Sequence, residues 1–174
     1  MKKSIMKLTL AAMLTAMSVV IGIFCKSFLN FGAGLFRVTF ENLPIILSGI
    51  MFGPMMGALV GIAGDLVSYL LSPQIYPPNL VVTLGAASIG FISGFMAKVI
   101  IKKGGYSQII ISGALAHVIG SMMIKSIGLY QFYGMAVLWR IPLYCVIIPV
   151  ELMIICILYK NATFRRLIDK NTVK

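Results

Sequence analysis

The sequence predicts an all-α membrane protein, a six-transmembrane-helix bundle with both termini cytoplasmic. Three observations support this prediction. Apolar types make up 60% of the 174 residues and charged types only 11%, whereas soluble domains carry about a quarter charged residues. Five long apolar blocks follow one another along the chain. The basic residues behind the net charge of +11 lie mainly at the ends of these blocks, as is typical of membrane proteins.

The five apolar blocks give the predicted spans. The first begins after basic residues, as a signal peptide does, but it is longer than a signal h-region of roughly 7–15 residues. It has no clean cleavage site, so we expect it to be a retained span. Residues 1–174 are expected to form one integral membrane domain in the lipid bilayer. The blocks are Ser4–Cys25, Asn42–Leu71, Leu80–Ile101, Ile109–Ile127 and Val137–Tyr159.

The second block is either one kinked span or a helical hairpin. As a single helix its 30 residues would measure about 45 Å, against a hydrocarbon thickness of roughly 30 Å. Gly53-Pro54 divides it into Asn42–Phe52 and Met55–Leu71. With a hairpin, eleven of the 15 lysines and arginines face the cytoplasm, and with a kink only five do. The positive-inside rule therefore favours the hairpin and six spans.

The first half of the hairpin, Asn42–Phe52, is short for a span and needs cover from the bundle or the adjoining loop. Asn42 is expected to act as its N-cap. The predicted outer connections, Lys26–Glu41, Ser72–Asn79 and roughly Gly128–Ala136, are longer than the cytoplasmic ones. Long loops gathered on one face suggest that something is bound there.

Small residues recur at four-residue spacing on several helices, which lets helix backbones approach closely in lipid. We interpret the glycine stripes as packing inside the bundle. The alanine pair, near the cytoplasmic end of the first helix, is where a partner helix is expected to dock. The glycines are Gly53, Gly57, Gly61 and Gly64 with Gly90 and Gly94, and the alanines are Ala12 and Ala16.

Asp65 is the most informative residue, because it lies inside a predicted span. An aspartate at the centre of a membrane helix costs about 2.5–3.5 kcal/mol on insertion scales, so such residues usually face a cavity or the bundle interior. Tyr69 lies one turn farther out on the same face. Asp65 is predicted either to contact a ligand or to pair with Arg37 or Arg140.

Two more ionisable residues lie near the middle of predicted spans. Glu151 is expected to pair with Lys98 or with backbone groups, and His117 to be a hydrogen-bonded packing residue.

At the outer mouth, arginines can bind a carboxylate bidentately, while a buried carboxylate can accept two parallel hydrogen bonds from an amidine-like edge. Together these features suit a flat, apolar molecule with an anionic tail. The outer-mouth residues are Arg37, Glu41, Asn42, Tyr76, Asn79, Lys125, Tyr130, Tyr133, Trp139 and Arg140, the tyrosines and tryptophan also being typical interfacial anchors.

Several functional classes are not expected. The chain has no G-x-x-x-x-G-K-[ST] and no H-E-x-x-H. Its single histidine cannot assemble a multi-histidine metal site or a recognisable catalytic group. Basic and aromatic residues are not interleaved as in nucleic-acid surfaces. We therefore expect no enzyme activity, no cofactor, no metal and no nucleic-acid partner.

The segment "FRVTFENLPIILSGIMFGPMMGALVGIAGDLVSYLL" resembles helices two and three of the substrate-binding (S) components of energy-coupling factor (ECF) vitamin transporters. Arg37, Pro44, the Phe52-Gly53-Pro54 turn and Asp65 are most similar to the folate-specific branch. "LWRIPLYCVIIPVELMI", with Glu151, is similar to the last helix of that branch. The alanine pair matches the small-residue motif of the superfamily's first helix.

This resemblance implies a six-helix bundle that binds one vitamin in a cavity near the outer face of a bacterial plasma membrane. It also implies a transmembrane coupling protein (T component), which Ala12 and Ala16 would contact, and two ATP-binding subunits. As a hypothesis for folate, Asp65 accepts from the pterin, with Glu41 able to exchange roles. Tyr69, Tyr76 or Trp139 would stack on the rings, and Arg37, Lys125 or Arg140 would bind the glutamate tail.

Other functions compatible with the sequence are an S component for another vitamin, such as pantothenate, riboflavin or a thiamine precursor, and a small proton-coupled carrier. Such a carrier would use Asp65 and Glu151 as proton sites, but the inverted repeats often found in carriers are not evident. A structural assembly subunit would not need a polar cavity.

Overall fold

The computed structural model describes residues 2–31, 36–71, 79–101, 104–162, 164–166 and 168, with the side chains of residues 2, 3, 30, 31, 36 and 37 outside the description. Two π-helical segments, Met96–Ile100 and His117–Ile124, extend α4 and join α5 to α6, and the 3-10 segment Gly134–Trp139 joins α6 to α7. The elements are α1 (Lys2–Phe28), β1 (Asn30–Phe31), β2 (Phe36–Arg37), α2 (Asn42–Phe52), α3 (Pro54–Leu71), α4 (Leu80–Phe95), α5 (Tyr106–Ala116), α6 (Lys125–Tyr133) and α7 (Arg140–Lys160).

The break between α2 and α3 is a hairpin turn. Gly53 adopts a φ of 102°, which favours glycine, and Pro54 starts α3 at the position where a missing N–H costs nothing. Ile45, near the start of α2, lines the same cavity as Asp65, near the end of α3. The two helices therefore run antiparallel, and the predicted hairpin is confirmed.

Helix α2 lies at the centre of the bundle, since all 11 of its residues are buried. A helix of this length spans about 17 Å, well short of the roughly 30 Å of hydrocarbon. Its neighbours, among them α1, α3, α4 and α5, cover it on every side. The short helix is thus stabilised by protein, as the sequence required.

A line of small residues, which we call the glycine seam (Gly57, Gly61, Ala86 and Gly90), joins α3 to α4. A Cβ added to Gly57 would collide with the backbone of Gly90, and one added to Gly90 would collide with the backbone of Gly57. A Cβ on Gly61 would collide in the same way with the carbonyl of Ala86. The predicted packing role of these glycines is confirmed.

The helices form an integral membrane protein. Four described stretches are long and apolar enough to cross a bilayer: Ser4–Phe28, Pro54–Leu71, Leu80–Ile100 and Tyr106–Lys160. The last has 55 residues, which is too long for one span. It reverses at Gly134, where φ is 55°, and α7 packs back against α5. Large apolar side chains such as Leu8, Leu70 and Val146 face outward, as lipid contact favours.

The connections differ from the sequence prediction in two places. The hairpin β1–β2, with Asn30 opposite Arg37 and Phe31 opposite Phe36, was not predicted. The predicted linker Gly128–Ala136 is wrong, because α6 continues to Tyr133. Gly128 looked like a loop residue, but a Cβ there would meet Val81 at 3.1 Å. This glycine permits close helix packing instead of ending the helix.

Candidate ligand-binding site

A cavity of about 200 Å³ lies between α1, α2, α3, α4 and the start of α6. Its charged lining residues are two acids, Glu41 and Asp65, and one cation, Lys125. The lining residues are Ser18, Glu41, Ile45, Gly64, Asp65, Ser68, Ala86 and Lys125.

Asp65 is held by a hydroxyl from the neighbouring helix. Thr83 Oγ1 on α4 donates to Asp65 Oδ2 at 2.7 Å. The contact lies one turn beyond the place where Gly61 meets Ala86, so the glycine seam sets the distance between the two side chains. Sequence reasoning did not identify Thr83.

Lys125 is the buried cation of the cavity, with 4% of its surface exposed. Its Nζ lies 3.5 Å from Glu41 Oε1 and donates to Asn42 Oδ1 at 3.2 Å. Removing a charge from water costs several kcal/mol unless it is paired, and these two oxygens supply the compensation. The structure therefore brings three predicted site residues into direct contact.

Asn42 does not cap α2, so that prediction is wrong. Glu41 occupies the N-cap position and makes no side-chain capping bond. The Asn42 carboxamide instead binds Lys125 and donates from Nδ2 to Ser121 Oγ at 3.3 Å. At a fully buried position a charged partner is a stronger attraction than a backbone amide.

The contacts continue from Ser121 into the bundle. Ser121 Oγ lies 3.5 Å from His117 Nδ1, and His117 Nε2 contacts Glu151 Oε2. We call Lys125, Asn42, Ser121, His117 and Glu151 the polar chain. The predicted pairing of Glu151 with Lys98 or with backbone is wrong, since His117 is its partner.

Helix α1 contributes another polar stripe to the cavity wall. Ser18 Oγ donates to the backbone oxygen of Glu41 at 2.7 Å, and Lys26 Nζ donates to Ser68 Oγ at 2.8 Å. Between them, a Cβ on Gly22 would lie 2.9 Å from Glu41 Oε2. Ser18, Gly22 and Lys26 follow one another at four-residue spacing, which is the sequence signal that would have revealed this face.

Arg140 and Asn79 lie outside this cavity lining. Arg140, half-buried at the start of α7, donates to Tyr144 Oη at 2.9 Å and lies over its ring. The described bond of Arg140 is thus to Tyr144 and not to Asp65. Asn79 caps α4 by accepting from Val81 N at 2.9 Å, and it donates to the Gly128 carbonyl at 2.7 Å.

The remaining predicted ligand contacts are less closely tied to the cavity. Tyr69 is half-buried, and Trp139 is 63% exposed. Tyr76 lies outside the described residues, as does the side chain of Arg37, whose backbone is in β2. On α1, Ala12 and Ala16 are both exposed, so their surface is accessible to a neighbouring helix.

Comparison with known proteins identifies the family. Residues 6–165 match the family described as "ECF transporter, substrate-specific component". The chain belongs to this family of transporter components. The family assignment agrees with the resemblance seen in the sequence, and it makes the cavity the natural place to look for a transported substrate.

Two relatives refine the comparison. The chain is 26% identical over 117 residues to the folate transporter FolT of Clostridium novyi (strain NT), a match that covers 63% of this chain and 62% of the relative. A solved structure described as "Crystal structure of FolT bound with folic acid" is 23% identical, with a TM-score of 0.66. That match covers 94% of this chain and 92% of the solved one. At this identity the structural likeness establishes the fold.

Proposed function

We propose that this chain is the folate-binding subunit of an ECF-type, ATP-driven uptake transporter in a bacterial plasma membrane. The observation that carries the proposal is the cavity, in which a hydroxyl-held carboxylate, Asp65, and a buried ammonium, Lys125, line the same small space. Support comes from the family match and from two similar proteins whose names or titles specify folate.

The cavity chemistry suits the heterocyclic end of folate. A pterin edge presents two adjacent N–H donors followed by an oxo acceptor. Asp65 would accept from the donors, and the Lys125 ammonium would donate to the oxo group. Glu41 is less suited to the donor edge because Lys125 already lies against it. This assignment moves Lys125 from the glutamate tail, its predicted target, to the ring.

The rest of the ligand would lie outside this cavity. Arg140 and Arg37 are the proposed partners of the glutamate carboxylates, because guanidinium groups bind carboxylates bidentately. Tyr69, Tyr76 and Trp139 are the proposed ring contacts, and Asn79 would support this mouth by tying the start of α4 to α6.

The proposed topology has six spans, with Asn42–Phe52 as the second, and both termini in the cytoplasm. The charge distribution supports this orientation. Transport would require a T component and two ATP-binding subunits, with Ala12 and Ala16 forming the helix surface that the T component contacts. Small residues on an exposed membrane helix favour such close packing.

The test is the ligand that the protein carries when it is isolated. The purified protein should release a compound with the ultraviolet absorption of a pterin. A flavin spectrum, or tight binding of another vitamin by protein that does not bind added folate, would contradict the proposal.

A further inference from the structure

The polar chain runs from the cavity wall to the interior through five buried side chains. Lys125 is 4% exposed, and Asn42, Ser121, His117 and Glu151 are each 0% exposed. Its contacts measure 3.2 Å from Lys125 to Asn42, 3.3 Å from Asn42 to Ser121 and 3.5 Å from Ser121 to His117, and His117 then contacts Glu151.

The donors in this chain all point the same way. Lysine has no acceptor, so the Asn42 oxygen must face Lys125 and its NH₂ group must face Ser121. Ser121 Oγ accepts that bond, which leaves its own hydrogen for His117 Nδ1. The imidazole then carries its proton on Nε2, toward the carboxylate of Glu151. The hydrogen bonds from the Lys125 ammonium to the His117 imidazole are aligned in this way, and aligned hydrogen bonds strengthen one another.

We propose that His117 and Ser121 are positioning residues for ligand binding. They fix the orientation of the Asn42 carboxamide and so hold the Lys125 ammonium at the cavity wall. If the carboxamide turned over, its NH₂ group would face the ammonium, and Lys125 would lose an acceptor. The inference rests on the proposed function for the identity of the ligand, whose oxo group would take a further hydrogen of Lys125.

Two serines of the same helical stretch provide a matched test. Ser112 and Ser121 are both fully buried, but Ser112 Oγ bonds only backbone oxygens of its own helix among the described residues. We expect Ser121→Ala to weaken folate binding about tenfold, the effect of one buried hydrogen bond, and Ser112→Ala to leave it unchanged.

Ligand selectivity separates positioning from general structural damage. Folate is compared with its analogue in which an amino group replaces the 4-oxo group. This analogue presents a hydrogen-bond donor to Lys125 in place of the acceptor. Ser121→Ala should weaken binding of folate more than binding of the amino analogue, so the ratio of the two affinities should become smaller. Equal losses for both ligands, or no loss for either, would overturn the proposal.

Substitution of His117 tests the direction of the hydrogen bonds along the polar chain. His117→Gln keeps an acceptor toward Ser121 and a donor toward Glu151 and should retain folate affinity within about threefold, whereas His117→Phe should lose as much as Ser121→Ala. If the Phe variant fails to fold because Glu151 is left unpaired, Ser121→Ala still decides. Loss of affinity in the Gln variant equal to that of Ser121→Ala would contradict the assigned direction.

One measurement needs no ligand at all. His117 is the only histidine in the sequence, so ¹⁵N-histidine labelling gives the two ring-nitrogen signals of a single imidazole in the NMR spectrum of the intact protein. The expected form is the neutral tautomer with its proton on Nε2. A proton on Nδ1 would overturn the proposal, whatever the ligand is. If the expected tautomer is observed but the protein does not bind folate, that result would count against the proposed function alone.

Discussion

The glycine seam and the polar chain both join helices inside the bundle, but they use different chemistry. Along the seam, α3 and α4 are in backbone contact, with Gly57 against Gly90 and no side chain between them. Along the polar chain, the Asn42 carboxamide of α2 bonds the Ser121 hydroxyl and the Lys125 ammonium. The glycine seam depends on the absence of side-chain volume, whereas the polar chain depends on the pairing of hydrogen-bond donors with acceptors. Asp65 lies where the seam reaches the cavity, and Lys125 lies where the polar chain reaches it.

The largest expected effect comes from a surface outside both regions. Ala12→Trp should abolish folate uptake in cells that also contain the coupling and ATP-binding subunits, because a bulky residue blocks close helix contact. Folate binding by the purified protein should be unchanged, since Ala12 touches neither the seam nor the chain. Met13→Trp, at an exposed position facing a different direction on α1, is the control. Normal uptake by the Ala12 variant would exclude this docking surface.

The next effect tests the end of the seam that reaches the cavity. Asp65→Asn should weaken folate binding at least about a hundredfold, because the variant loses a charge-assisted bond and presents an NH₂ group to the ligand's donors. Thr83→Val should cost about tenfold, since it frees Asp65, while Thr83→Ser keeps the hydroxyl and serves as the control. Calorimetric titration gives these affinities, and unchanged affinity in Asp65→Asn would remove this residue from the site.

The seam itself is tested by adding one methyl group. Gly90→Ala should lower the free energy of unfolding by about 1–3 kcal/mol, as overpacking does, because its Cβ meets the backbone of Gly57. Gly64→Ala is the matched control, since its Cβ meets only the Ser18 side chain, at 3.3 Å. Thermal unfolding in detergent compares the two, and equal midpoints would mean that the seam is not tightly packed.

The smallest effect concerns the mouth. Arg140→Ala should weaken folate binding by up to about fivefold through loss of a carboxylate contact, and it should leave pteroate, which lacks the glutamate, unaffected. Tyr144→Phe removes the hydroxyl that Arg140 holds and should act in the same direction but less strongly. An equal loss for folate and pteroate would exclude Arg140 from tail binding.

The two regions also differ in how far the sequence predicted them. The seam and the hairpin follow from local signals: glycines at four-residue spacing, Gly53-Pro54 and the distribution of basic residues. Asp65 was identified by the cost of placing it in lipid. The partners along the polar chain were not identified, because Lys125 and Asn42 are 83 residues apart and no local pattern connects them. His117, Ser121 and Lys125 are spaced four residues apart in the sequence. This spacing alone did not indicate that Asn42 of α2 is their neighbour in the fold.

The most direct test of the account is a calorimetric titration of the purified wild-type protein with folate, alongside riboflavin, pantothenate and thiamine. We predict saturable binding of folate at one site for each chain and no comparable binding of the other three vitamins. Binding of one of those vitamins with no response to folate would contradict the assignment of Asp65 and Lys125 to a pterin.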